Sequence, residues 1–269
     1  MIVTPPPVKV WAEKNDIPFL QPEKLDKALE EKLKDFDVSI VVAYGKIFPE
    51  WLINLPKHGT LNIHYSLLPK YRGAAPIQRA IIDGEAVTGV TIMRIETLLD
   101  AGAMLAKMTR PIGPDDTSDV VEQDLSELGA TLLLHVIDDI VAGTADAEPQ
   151  DDRLSTYAAR LTKEEGLVDW TLPALYIHNR VRGLYPWPHA YTYLDGERLI
   201  LLRTGVEESS TTDDPGTIVD VSAGSIHVAT GHSGRIVIHE LQPEGRRAMK
   251  TRDFLAGHPV RIGTRLTGP

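Results

Sequence analysis

The segment from Thr60 to Pro76 constrains this chain more than any other, because strict alternation runs there into a turn bounded by glycine and proline. In a strand successive side chains point to opposite faces, so Leu61 and Ile63 share one face while Asn62 and His64 share the other. One face demands an apolar core behind it; the other sets two hydrogen-bonding groups side by side. Ser66-Leu67-Leu68-Pro69 leaves the strand, and Tyr71-Arg72-Gly73 turns toward Pro76. Proline suits a first helical turn, where its missing N–H would be unpaired anyway. A strand that ends in polar groups and feeds a helix predicts a layered α/β arrangement.

The neighbouring sequence repeats this theme. Leu25, Leu29 and Leu33 recur at helical spacing, and Val38 to Tyr44 reads as a buried strand. A helix over about 76–83, strands over 87–95 and 104–109, and a helix over about 118–141 follow. Residues 142–165 are rich in Ala, Asp, Glu and Gln with little periodicity, which predicts a linker or a partly structured crossing segment. Beyond it a helix is expected over 172–182. Short runs of strand character then follow over 191–194, 198–203, 216–221, 225–230 and 235–241, separated by Gly, Asp and Pro, a pattern that suggests a small β-barrel.

Composition excludes several classes of chemistry. The 269 residues contain no cysteine, which removes disulfides, thiolate metal sites and a cysteine nucleophile. The eight histidines other than His64 show no metal-ligand spacing, so no metal is expected, and no P-loop, Gly-x-Gly-x-x-Gly or serine-nucleophile motif occurs. No apolar run approaches the roughly 18 residues of a membrane span, and Met1 to Pro7 lacks the form of a signal peptide. A cytoplasmic protein is expected.

The net charge of −10 argues against a polyanionic partner until its distribution is considered. Residues 170–269 carry 11 Lys and Arg against 10 Asp and Glu, whereas the preceding 169 carry 17 against 28. Within the last 29 residues Arg246, Arg247, Lys250, Arg252, Arg261 and Arg265 face only Glu244 and Asp253. A basic end on an acidic body fits a protein that docks one part of a polyanion; a solvated basic tail has the same charge pattern.

Residues 62–76 resemble the Asn-x-His-x-Ser-Leu-Leu-Pro-x-x-Arg-Gly-Ala-x-Pro signature of formyltransferases that use 10-formyltetrahydrofolate. Thr88 to Met93 and Leu99-Asp100-Ala101-Gly102 fall where that family has its second catalytic segment, and Tyr185-Pro186-Trp187-Pro188, Pro215 to Ile218 and Leu241 to Met249 extend the likeness through nearly the whole chain. The similarity is greatest to members acting on initiator methionyl-tRNA. It implies a Rossmann-like formyltransferase domain with a mostly parallel sheet over 1–145, a linker over 146–165, and an OB-like β-barrel over 166–269 that binds tRNA. It also implies a monomer that takes 10-formyltetrahydrofolate as co-substrate and needs no metal. Family members ordinarily begin with a strand and a Gly-Thr-Pro-x-Phe turn, and this sequence has no such turn. The resemblance implies that about 30 residues, one βαβ unit, are absent, which would leave strand edges and apolar side chains uncovered.

Formyl transfer to an amine needs a neutral amine, a stabiliser for the developing oxyanion and a proton route to the leaving nitrogen. Asn62 supplies an uncharged N–H donor of the oxyanion-hole type, and His64 can hold or pass a proton near neutral pH. The resemblance adds Asp100 as the partner of the imidazole, although Leu98 and Ala101 stand where the family commonly has Gly and Thr. By itself a strand histidine is more often structural, and an Asp before a glycine-bearing turn is usually a turn former. Ser66, Leu67, Leu68 and Pro69 are expected to form the wall for the folate pterin, with Tyr44 to Pro49 completing the pocket. Arg72, Arg246, Arg247 and Lys250 are the expected tRNA contacts; Arg72 equally suits capping a local acid. Two rivals remain at this point: a relative acting on an amino-sugar nucleotide or a glycinamide ribotide, and a noncatalytic folate- or tRNA-binding protein.

Overall fold

The computed structural model describes residues 4–209, 213–222, 224–232 and 234–268, so the first three residues of the Met1 to Pro7 stretch lie outside it. In the first half the elements are α1 (Pro7–Lys14), α2 (Glu30–Leu33), β1 (Ser39–Val41), α3 (Glu50–Ile53), β2 (Thr60–His64), β3 (Arg72–Gly73), α4 (Pro76–Ile82), β4 (Val87–Arg94), β5 (Met104–Pro111) and α5 (Ser118–Ala142). The second half adds β6 (Tyr157–Ala158), α6 (Ala174–Gly183), β7 (Ala190–Leu194), β8 (Glu197–Glu207), β9 (Ile218–Ser222), β10 (Ser225–Ala229), β11 (Arg235–Pro243), β12 (Met249–Lys250) and α7 (Thr251–Gly257).

The first half is an α/β layer whose sheet has the order β1-β2-β4-β5. The β1/β2 pair is parallel, as a helix-linked crossover requires, whereas β2/β4 and β4/β5 are antiparallel. The departure from an all-parallel ladder has a local cause. Residues 95–103 fold β5 directly back on β4 as a hairpin, and the connection over 65–86, which carries β3 and α4, brings β4 beside β2 in the opposite direction. The apolar face of β2 is the one its alternation assigns: Leu61 is fully buried and packs with Val90, Ile92, Leu132 and Val136 under α5. Burying a side chain of this kind contributes about 1.5–3 kcal/mol. Nearer the start of α5, Val121 and Leu125 meet Ile77 and Ile81 of α4, which fixes the helix that follows the Arg72 turn.

The second half is an antiparallel sheet in the order β7-β8-β11-β10-β9, with β12 paired to β11. Residues 264–267 close it: Tyr193 on β7 exchanges backbone hydrogen bonds with Thr267, while Ile218 N–H on β9 donates to the Thr264 carbonyl and Leu266 N–H to that of Gly216. Closure satisfies both sheet edges and produces a barrel around Trp170, Ile177, Leu201, Ile218, Ile226, Ile236 and Leu241.

Helix α6 ties the halves together. The buried Arg182 guanidinium donates to Asn179 and to the Gly113 and Asp116 carbonyls at 3.2 and 3.1 Å. His178 donates from Nε2 to the Pro114 carbonyl at 2.9 Å and accepts from the Thr204 hydroxyl at 3.0 Å. The crossing segment is equally engaged. Its β6 pairs in parallel with β3, and Met104 and Glu148 form an antiparallel bridge.

Candidate active site

Register places the polar groups. Directly opposite residues share a face, so the pairs Asn62/Met93 and His64/Thr91 set Asn62, His64 and Thr91 on the side away from α5. The Thr91 hydroxyl donates to the Ser66 carbonyl at 2.7 Å and accepts from Leu68 N–H at 3.2 Å, which folds the strand exit back over that face. Ser66 is fully buried and donates to the Lys70 carbonyl; Leu68 packs with Met93 and Met104. Leu67 and Pro69 are half-buried, and the Lys107 ammonium reaches the Leu68 carbonyl at 3.2 Å. The segment therefore offers two half-buried apolar side chains on a backbone already braced from beneath.

His64 and Asp100, 36 positions apart in sequence, meet here: Nδ1 and Oδ2 are 3.8 Å apart, with the two side chains 6% and 14% exposed. The other ring nitrogen lies 2.9 Å from the Tyr71 carbonyl. A carbonyl only accepts, so Nε2 carries the hydrogen and Nδ1 of the neutral ring presents its lone pair toward Asp100. At 3.8 Å the two groups are too far apart for a direct hydrogen bond and close enough for strong electrostatic coupling. Burial pushes the imidazole pKa below its ordinary value; the Asp100 charge and the Tyr71 carbonyl oppose that shift without cancelling it. The ring is thus a neutral base whose charged form has a carboxylate waiting beside it.

Asp100 is itself anchored. Its Oδ2 accepts the Gly73 N–H at 2.8 Å, and its backbone sits at φ 48°, a conformation disfavoured for a residue with a Cβ. Gly73 has φ 123°, and a Cβ there would lie 2.6 Å from the Ala158 carbonyl oxygen, so glycine is required for β3 to pair with β6. Tyr71, at φ 62°, is held by its N–H on the Thr156 hydroxyl at 2.8 Å and by its phenol on Asp83 and Glu85. Burial and those acids raise the phenol pKa, which keeps it a donor.

Asn62 is half-buried, and its carboxamide has no hydrogen-bond partner among the described residues, which leaves its N–H groups free for a ligand. Arg72 is drawn inward instead: its Nε donates to Gln150 at 2.9 Å and its Nη2 to Asp152 at 2.8 Å, with the side chain 11% exposed. Arg246 and Arg247 lie far along the chain on the exposed turn between β11 and β12 and Lys250 at the end of β12, all three exposed and without an ion pair among the described residues. Tyr44 stacks edge-on against Phe48, and Tyr44 and Ile47 are exposed.

Sequence reasoning missed the Tyr71 carbonyl, the Gly73 N–H, Thr156 and Gln150. Backbone groups leave no residue-type signal, and the 146–165 segment has no periodicity to announce its hydrogen bonds with a loop 50 residues earlier. Among the described residues no cluster of His, Cys, Asp or Glu could hold a metal ion, and no helix is long and apolar enough to cross a membrane.

Two family models match the chain, one in each half. Residues 3–137 match the formyl transferase family model and residues 160–259 the formyl transferase C-terminal domain. The N-formyltransferase from Helicobacter canadensis, solved in complex with folinic acid and dTDP-3-aminofucose, shares the fold at TM-score 0.66 and 19% identity, over 85% of this chain and 81% of that one. HypX from Aquifex aeolicus in complex with tetrahydrofolic acid does so at 0.62 and 18%, over 87% and 42%. Sequence similarity is much greater to the methionyl-tRNA formyltransferases of Geobacter sulfurreducens, 47% identical over 98% of this chain and 83% of that protein, and Staphylococcus epidermidis, 43% identical over 95% and 83%. With His64 beside Asp100 on the sheet of the first half and an antiparallel barrel in the second, identity at this level across both halves shows that the chain belongs to the methionyl-tRNA formyltransferase family.

Proposed function

We infer that this enzyme transfers the formyl group of 10-formyltetrahydrofolate to the amino group of methionine on initiator tRNA, giving formylmethionyl-tRNA and tetrahydrofolate. The observation that carries the reading is the 47% identity to a methionyl-tRNA formyltransferase through both halves, barrel included.

The geometry supports a direct transfer. The neutral methionyl amine attacks the formyl carbon, and the carbonyl oxygen becomes an oxyanion that the free Asn62 carboxamide is placed to receive. Because Nε2–H of His64 is committed to Tyr71, the amine proton goes to Nδ1, and Asp100 stabilises the resulting imidazolium. The same proton then goes to N10 as the C–N bond to the folate breaks, so the ring ends neutral and no net charge is left in the site. The half-buried Leu67 and Pro69 offer the pterin an apolar wall on the Ser66 to Pro69 backbone. The exposed cations Arg246, Arg247 and Lys250 suit tRNA phosphates, whereas the Arg72 guanidinium is positioned to brace the site from within. This assignment takes residues 1–145 as the catalytic unit, 146–165 as the connection and 166–269 as the tRNA-binding barrel.

Incubation of the purified chain with 10-formyltetrahydrofolate and either methionyl-tRNA or a dTDP-amino sugar tests the reading. Formylation of methionyl-tRNA alone is the expected result; formylation of the sugar nucleotide in its place would overturn it.

A further inference from the structure

The loop that carries Asp100 is held by a residue outside both the strand and the loop. Gln150 Nε2 donates to the Asp100 carbonyl at 2.8 Å and to the Gly102 carbonyl at 2.8 Å, while its Oε1 accepts Arg72 Nε at 2.9 Å. This set of partners admits one amide orientation, since both carbonyls only accept and the guanidinium only donates. Among long polar side chains only an amide satisfies it: a glutamate has no donor for the carbonyls, and a lysine no acceptor for the arginine.

The need for such a clamp is visible in the loop. A left-handed residue other than glycine costs about 1–3 kcal/mol and persists only where its surroundings hold it. Asp100 is in that state, and Leu98 and Leu99 just before it are exposed, so the loop gains little from packing on that side. On the other side Gly102 lies so close to the Arg94 carbonyl that a Cβ would collide with it. Between that close approach and the Gly73 N–H on the carboxylate, Gln150 fixes the intervening backbone.

We propose that Gln150 is a positioning residue for formyl transfer, one that acts by holding the Asp100 carboxylate against His64 Nδ1. The proposal rests on the transfer reaction assigned above and extends it: the crossing segment completes the catalytic site, linking it through Arg72 and Asp152 to the strand pair β3/β6. The groups facing His64 are Asp100 from the hairpin loop, the Tyr71 carbonyl from the strand exit and Thr91 from β4, so Asp100 is the charged group whose displacement the ring would register.

The test compares wild type with Gln150→Ala, and with Gln150→Glu, which keeps the acceptor for Arg72 and replaces the donor with a carboxylate that repels both carbonyls. The expected result is a kcat lowered roughly 10- to 100-fold, the range for a misplaced reacting group, with KM for methionyl-tRNA and for folate within about twofold of wild type. Placing Gln150→Ala in an Asp100→Asn background should cost no further rate. A loss confined to KM, an unchanged kcat, or a full additional loss in the Asp100→Asn background overturns the proposal. Titration of the His64 ring by NMR gives a readout independent of substrate. Its midpoint should fall in Gln150→Ala, as in Asp100→Asn, and an unchanged midpoint overturns the proposal even if the wild-type chain proves to formylate a different amine. Failure of wild type on methionyl-tRNA, by contrast, overturns the assigned substrate and leaves the His64 titration to decide the role of Gln150.

Discussion

The crevice of the candidate active site and the basic segment at β11 and β12 represent opposite ways of placing charge. In the crevice every ionisable group is tied down: His64 to the Tyr71 carbonyl, Asp100 to Gly73 N–H, Arg72 to Gln150 and Asp152. On the turn, Arg246 and Arg247 are exposed on a backbone fixed by Arg246 N–H on the Pro243 carbonyl and Gly245 at φ 68°, and Lys250 is exposed at the end of β12. A reacting group must be pre-placed, because misplacement costs rate directly. A phosphate-binding cation works through counterion release and tolerates a mobile side chain. The same residue type thus occurs in two settings here, drawn in between Gln150 and Asp152 as Arg72 and exposed as Arg246 and Arg247.

The largest expected effect lies in the crevice. Asn62→Ala should lower the single-turnover formylation rate about 10²–10³-fold while leaving substrate binding nearly intact, since an oxyanion donor acts mainly in the transition state. Lost binding with an unchanged single-turnover rate, in rapid-quench measurements, would move Asn62 from the chemistry to the substrate wall.

The turn should respond differently. Arg246→Ala, Arg247→Ala and Lys250→Ala combined should weaken tRNA binding roughly tenfold or more at moderate salt and flatten the logarithmic salt slope by about 1 for each phosphate no longer neutralised. Folate affinity should not change. A salt series by filter binding with an unaltered slope would return these side chains to ordinary solvated charge and erase the contrast with the crevice.

The smallest effect concerns acid. His64 in the folded protein has a pKa below 6.5, so the unfolded chain takes up its proton first as the pH falls. Its contribution to stability is fully present above about 6.5 and is lost as the pH drops through the depressed folded value. Wild type should therefore lose more of its urea midpoint than His64→Gln between about pH 7.5 and 5.5. Equal losses would show that the ring is solvated and that the crevice is less enclosed than the comparison with the turn requires.

Much of this architecture is legible in the sequence, and the parts that are not share a reason. Strand β2, helix α5 and the succession β7 to β11 are predictable because each carries its own period, and Leu61 on one face and His64 on the other follow from alternation alone. Helix α1 is not legible in the same way, because Pro7 to Lys14 buries only Ala12 and leaves Val8 and Trp11 exposed, so it lacks an apolar stripe of the usual kind. The two-residue strands β3 and β6 give no warning either, since a pair this short is decided by which backbone groups happen to meet. Helix α2 is shorter than its leucine spacing suggests; only four residues are α-helical, preceded by a 3₁₀ turn over 27–29.

In the sequence itself lie the residue types that transfer needs, their order along the chain and the face of β2 on which Asn62 and His64 stand. Tertiary structure decides which nitrogen of His64 is free, how Asp100 reaches it, and that Gln150 joins Arg72 to the loop carrying Asp100. The physical reason is that periodicity fixes local direction, whereas a hydrogen bond from residue 150 to residue 100, or from a ring nitrogen to a backbone carbonyl, exists only once the chain between them has folded.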